Sequence, residues 1–326
     1  MIAFILSGGG NRGPLEVGAL QVLLERGIKP DMLVGTSVGA INAAFLALDP
    51  SLATALRLGE LWKQVDKDQV FHGNQLTMLW RFLTGKDSLY ANDHLEHLVK
   101  ESLLPGVERF GDLERSKLYI VATRLDTGEP RVFGDAPEER LLDAIMASTA
   151  LPPFFPPWRC GEELLVDGGI AADLPVRIAL DRGAKEIYAL HLVDAPRRGE
   201  QIRGLLNVAE QAINNVLARQ LTAELSELAS VQGITLHYVP LTGFYGLPLW
   251  DLSQTEEMIE GGRQQMEEYL QASLEVIRYE KISSLRERTK RRLVNSLKRL
   301  QGILSRNRQG LEEELELHSA TSKARS

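Results

Sequence analysis

Three short runs of small residues hold the side chains that covalent chemistry needs. Ser37 stands in Gly35-Thr36-Ser37-Val38-Gly39, after the apolar run Met32 to Val34 and before the apolar stretch Ala40 to Ala47. Gly-x-Ser-x-Gly between a strand and a helix makes a sharp turn that exposes a serine hydroxyl, and its small residues let the two elements approach closely. Ser7-Gly8-Gly9-Gly10-Asn11-Arg12-Gly13 follows the apolar run Ile2 to Leu6. A loop of this kind frees backbone N–H groups at the positive end of a helix, where they suit a standing anion or a charge that develops only during a reaction. Asp167-Gly168-Gly169 closes the short run Glu163 to Val166, and an acid at a strand end beside two glycines fits a catalytic partner of Ser37.

Each run also has a plainer reading. Ser37 serves as an ordinary helix N-cap, the glycine loop as a strand-to-helix turn, and Asp167 as an acid in a surface turn. Gly8-x-Gly10-x-x-Gly13 also matches a dinucleotide fingerprint, which calls for an acid closing a second strand about twenty residues on. Here Asp31 precedes that strand instead of ending it, and no Gly-Lys-Ser/Thr follows the loop. A phosphate or nucleotide-binding regulatory module that uses Gly8 to Gly13, with Ser37 inert, is the alternative from another functional class.

The elements that must position these runs follow from periodicity and breakers. Pro14 to Arg26 reads as a helix ended by Gly27, and Ser51 to Val65 as another. The stretch with Phe71, Leu76, Met78, Leu79, Trp80, Phe82, Leu83, Leu89 and Tyr90 reads as core on short helices or as a cover over a substrate. Asn92 to Ser102 reads as a helix, Leu118 to Thr123 as a strand, and Arg131 to Phe133 as β-like. Asp143 to Trp158 is a helix of small residues that ends in prolines and aromatics, forming a rigid wall unfit for a sheet centre. Asp173 is expected to cap a helix reaching Arg182, followed by the buried strand Ile187 to Val193, a helix over Arg203 to Val231 and the strand Ile234 to Val239. Strands alternating with helices predict an α/β fold of three layers, α/β/α, around a mostly parallel sheet.

Size and charge narrow the function. A chain of 326 residues with 44% apolar and 25% charged side chains holds one large α/β domain with an appendage. The net charge of −7 argues against nucleic acid as the main partner. The single cysteine, Cys160, excludes an internal disulfide and a multi-cysteine metal site. Ile2 to Leu6 is too short for the apolar core of a secretory signal, and no run reaches the roughly 18 apolar residues of a membrane span. The expectation is a cytoplasmic protein, with peripheral membrane contact.

Glycine loop, Gly-x-Ser-x-Gly and Asp-Gly-Gly, in that order, with Ala147-Ser148-Thr149-Ala150-Leu151-Pro152-Pro153-Phe154-Phe155-Pro156-Pro157 between the last two, resemble the patatin-like phospholipase family. The resemblance spans about Ile2 to Leu270 and implies a patatin-like fold over residues 1–278. It implies a serine lipid acyl hydrolase, phospholipase A-like or lysophospholipase-like, that needs no cofactor and no metal. Ser37 matches the nucleophile and Asp167 its general base, a dyad without histidine. Gly8, Gly9, Gly10 and Arg12 match the oxyanion loop, and Gly13, Gly35, Gly39, Gly168 and Gly169 support the motifs. The substrate implied is a lipid or lysophospholipid ester, and some relatives favour acyl transfer over hydrolysis. Asp173 departs from the family pattern, which places Asn before Leu-Pro. The rival within hydrolases is a Ser-Asp-His triad, for which only His191 and His237 stand in late strands.

Beyond residue 278 the composition changes. Residues 279–310 carry ten Lys or Arg from Lys281 to Arg308 against one acid within that span, Glu287, with Leu293, Leu297, Leu300 and Leu304 at helical spacing. This predicts a basic amphipathic helix, either packed on a protein surface or docked through 281–308 on anionic membrane. Residues 311–326 read as a polar disordered tail.

Overall fold

The computed structural model describes residues 1–65, 86–103, 106–193, 233–271 and 277–278, with single residues or short runs between them. The described residues belong to a compact unit, Met1–Tyr279. The segments expected at 279–310 and 311–326, nearly all of the helix expected over Arg203 to Val231, and Phe71 to Leu83 lie outside the described residues.

Among the described residues nine strands form one sheet: β1 Ile2–Leu6, β2 Met32–Thr36, β3 Lys117–Arg124, β4 Pro130–Phe133, β5 Trp158–Cys160, β6 Glu163–Asp167, β7 Glu186–Leu192, β8 Thr235–Leu241 and β9 Ile277–Arg278. Their order is β5-β6-β3-β2-β1-β7-β8-β9, with β4 also paired to β3. The five central strands β3, β2, β1, β7 and β8 are parallel, while β4, β5, β6 and β9 pair antiparallel at the flanks.

Burial on both faces explains why the central strands read as continuous apolar runs. Phe4 and Leu6 of β1, Leu33 of β2 and Ile120 of β3 join one core, while Ala3, Ile5, Met32, Val34 and Val121 join the other. Helices α1 Gly13–Glu25, α2 Val38–Leu48, α3 Leu52–Gln64 and α5 Leu141–Ser148 contribute to the first core, with the shorter α4 Asp93–Leu98. α8, Thr255–Gln271, packs there too, its backbone meeting α1 where Gly18 faces Ile259 and Gly262 faces Leu15. α7, Val176–Asp181, covers the second face. This is the three-layer α/β/α arrangement, and among the described residues no helix is long and apolar enough to cross a membrane.

Two local expectations change. The helix expected from Asp173 is broken: α6, Gly169–Ala172, stops at Asp173, and α7 starts after Pro175. Pro175 interrupts helical hydrogen bonding, and the Asp173 side chain is engaged elsewhere. The proline wall also runs into a strand, because Trp158–Cys160 turns back along β6 at the sheet edge, where Pro156 and Pro157 cost no ladder bonds.

Candidate active site

Strand order sets the site. β2 lies on one side of β1 and β7 on the other, so the chain leaves the C-terminal end of β1 at the point where the sheet's winding reverses. The glycine loop begins there. Ser37 follows β2 at the same edge, with Thr36 level with Val121 of β3. The next β3 residue, Ala122, pairs with Asp167 on antiparallel β6. The reversed strand therefore delivers Asp167 to the level of Ser37 from across β3.

The turn at Ser37 is tight and backbone-strained, with φ 52° and ψ −124°. It closes because a Cβ on Gly35 would lie 2.5 Å from the Gly39 carbonyl oxygen, a distance no other residue tolerates. Ser148 of α5 locks the turn: its Oγ accepts the Ser37 N–H at 2.8 Å and donates to the Val121 carbonyl at 2.6 Å. Ser37 Oγ, at the positive end of α2, donates to Asp167 Oδ2 at 2.7 Å.

Asp167 is 3% exposed and has its other oxygen, Oδ1, on the Gly169 N–H at 2.8 Å. Its backbone is fixed as well, since its carbonyl accepts from Thr123 Oγ1 at 2.8 Å. Burial pushes the carboxyl up to about 7, with the Asp173 charge adding to the rise and the bonds from Ser37 and Gly169 opposing it. A carboxylate of that strength can take a proton near neutral pH.

The glycine loop is held from three sides. Asn11 Nδ2 donates to the carbonyls of Pro248 and Asp251 at 3.0 and 2.9 Å. Arg12 is buried and its guanidinium donates to the carbonyls of Val193 at 2.7 Å and Leu192 at 3.5 Å. Arg12 thus clamps the loop to the end of β7 through two backbone carbonyls. The Gly8 N–H is also engaged, bonding both Asp173 O at 3.3 Å and Asp173 Oδ1 at 3.2 Å. Gly9 and Gly10 are half-buried, and Gly10 lines the cavity in front of Ser37. Behind the loop, Asn42 donates to Gly13 O at 3.1 Å and to Glu16 Oε2 at 2.9 Å, and accepts from Trp62 Nε1 at 2.9 Å. Burial raises Glu16 well above the usual carboxylate range, and its bond to Asn42, which also holds Trp62, joins α1, α2 and α3.

Neither histidine pairs with Ser37 or Asp167 among the described residues. His191 Nε2 faces Asp173 Oδ2 at 3.4 Å. His237 is buried, stacks on Tyr188 with ring centroids 4.2 Å apart, and is held below its usual range by burial. No group of three or more His, Cys, Asp or Glu side chains is placed to hold a metal ion among the described residues.

In front of Ser37 opens a cavity of about 200 Å³, walled by Leu58, Trp62, Leu95, Leu151 and Phe155. The proline wall supports one side, where Leu89 and Tyr90 N–H groups donate to the carbonyls of Pro153 and Phe154 at 2.9 and 2.8 Å. An apolar cavity lined in part by a half-buried nucleophile candidate suits a hydrocarbon chain.

Sequence reasoning missed Ser148, the Glu16–Asn42–Trp62 network and the contacts of Asp173. The Ala147-Ser148-Thr149 run gave a signal, a serine closing the apolar turn Ala144 to Ala147. The other two depend on which helices and strands are neighbours.

The family model described as patatin-like phospholipase matches residues 4–180. The uncharacterized protein YqhO of Bacillus subtilis (strain 168) is 31% identical over 215 residues, covering 60% of this chain and 72% of that protein. Patatin-like phospholipase domain-containing protein 7 of Rattus norvegicus is 30% identical over 193 residues, which span 58% of this chain and 13% of that much longer protein. The crystal structure of VipD from Legionella pneumophila aligns with a TM-score of 0.43 and 16% identity, covering 83% of this chain and 66% of that one. With more than half of its residues matched by the family model, the chain belongs to the patatin-like phospholipase family of lipid ester hydrolases.

Proposed function

We propose that this chain cleaves carboxylic esters of phospholipids or lysophospholipids with a Ser37–Asp167 dyad, through an acyl-enzyme. The observation that carries the reading is the 2.7 Å bond from Ser37 Oγ to a buried Asp167 whose carboxyl is pushed up to about 7. Ser37 Oγ attacks the ester carbonyl carbon as Asp167 takes its proton. The carbonyl electrons move to oxygen, where the N–H groups of Gly9 and Gly10 meet the new charge. The tetrahedral species collapses, the ester C–O bond breaks, and Asp167 returns the proton to the departing alcohol. Water then attacks the acyl-enzyme with Asp167 again as base, releasing the fatty acid and restoring Ser37.

The cavity in front of Ser37 supports an acyl chain as the part of the substrate that is recognised. The sequence of 281–308 supports peripheral docking on anionic membrane from the cytoplasmic side, with each basic residue near the surface adding about 1 kcal/mol. Sedimentation with anionic vesicles checks that point: a chain ending at Tyr279 is expected to lose binding, and equal binding contradicts the docking role.

The test of function is a fluorophosphonate label followed by lipid mass spectrometry. Wild type is expected to be labelled at Ser37 and to release fatty acid from a natural lipid extract, and Ser37→Ala to do neither. A folded protein with unlabelled Ser37 would point to a phosphate-binding module instead, and lipid products carrying a transferred acyl group would point to an acyltransferase.

A further inference from the structure

Asp173 does more than end a helix. It is half-buried, and both of its oxygens are directed to partners: Oδ1 accepts the Gly8 N–H at 3.2 Å and Oδ2 faces His191 Nε2 at 3.4 Å. The far side of that ring is fixed too, since His191 Nδ1 lies 2.7 Å from the Tyr238 hydroxyl. The carboxylate also fills the space above Gly8, where an added Cβ would come within 2.7 Å of Asp173 Oδ1. Three elements therefore converge on one glycine: the turn after α6, β7 through His191 and β8 through Tyr238.

The hydrogen-bond roles fit in one direction. A carboxylate only accepts, so the His191 tautomer that suits the 3.4 Å approach to Asp173 Oδ2 is the one with its proton on Nε2. In neutral histidine Nδ1 is then the acceptor, and the Tyr238 O–H donates to it. Burial, with the Asp173 charge adding to it, keeps that phenol protonated and able to donate.

We propose that Asp173 is a positioning residue for the oxyanion loop, held in its own place by His191 and Tyr238. By anchoring Gly8 it sets the direction in which the next two N–H groups, of Gly9 and Gly10, point. This rests on the reading of that loop as an oxyanion cradle. Donors that meet charge only in the transition state affect turnover more than substrate binding, so a mis-set loop lowers kcat and leaves KM nearly unchanged.

The experiment measures hydrolysis of a short p-nitrophenyl ester, with kcat expressed per site titrated by a fluorophosphonate. Asp173→Ala is expected to lose about 10- to 100-fold in kcat with KM within about twofold of wild type. Asp173→Asn is expected to recover most of that loss, because its Oδ1 still accepts from Gly8 and its amide can face the other tautomer of His191. Tyr238→Phe keeps the ring and removes the O–H, and is expected to lose about threefold in kcat. Asp173→Ala with wild-type kcat per titrated site, or an Asn variant as slow as the Ala variant, overturns the proposal. Where Asp173→Ala gives no titratable sites, Tyr238→Phe decides, and an unchanged kcat there overturns it. A wild type that labels but does not turn over the ester defeats the hydrolase reading instead, and this proposal with it.

Discussion

The two sides of Ser37 are built on opposite principles. Behind it, nearly every polar group is matched: Ser148 holds its N–H, Asp167 its hydroxyl, and Thr123 and Gly169 hold Asp167. In front of it, Leu58, Trp62, Leu95 and Phe155 line a cavity with few polar demands. The rear fixes positions to fractions of an ångström through hydrogen bonds that span β2, β3, α5 and β6. The front fixes only volume and dryness. Chemistry is therefore expected to be intolerant of change at the rear, and substrate choice to be adjustable at the front.

The largest effects test the rear. Ser37→Ala and Asp167→Ala are each expected to lower ester hydrolysis by about 10⁴-fold or more, and the double variant by no more than the worse single one, because the two side chains act as a unit. Full activity in Asp167→Ala, measured on the same ester, would break the comparison at its strongest point.

A change at the front is expected to discriminate among substrates instead. Leu95→Phe narrows the cavity, so kcat/KM for long-chain esters should fall about 10-fold against short-chain ones while short-chain turnover holds. Equal loss across chain lengths, measured with a p-nitrophenyl ester series, would mean that the cavity does not receive the acyl chain.

A smaller effect concerns the stability invested at the rear. Asp167 binds its proton more tightly in the folded chain, at about 7, than in the unfolded chain near the ordinary 3.8. Its contribution to stability is thus fully present below about 4 and is lost as pH rises through about 7. Asp167→Asn removes the buried charge and keeps partners for Gly169 and Ser37. It is expected to raise Tm by about 2–4 °C at pH 8 and by nothing at pH 4, as thermal melts at the two pH values would reveal. A lower Tm at pH 8 would mean that the charge is better solvated than its burial implies.

The same contrast explains what the sequence could disclose. The turn at Ser37 was legible because strand, glycines and helix are contiguous from Met32 to Leu48, and local sterics dictate the geometry. The glycine loop was legible as a strand-to-helix turn for the same reason. What Arg12 and Asp173 do was not. Arg12 reaches carbonyls at the end of β7, and Asp173 reaches Gly8 and His191, so both roles depend on which strands lie beside β1. His191 stood in a late strand as a triad candidate, and its meeting with Tyr238 is set by the β7–β8 pairing. The break at Pro175 was visible in the sequence, yet an acid before Leu-Pro also suits a helix cap, and local pattern alone does not choose between them.

The most direct measurement of the central claim is the pH dependence of kcat/KM for a short ester between pH 5 and pH 9. With Asp167 as the base that takes the Ser37 proton, activity should fall on acidification with a one-proton limb near 7, stay level above it, and keep that limb when His191 or His237 is replaced by Gln. A limb near 4, or one that disappears with either histidine, would contradict the dyad.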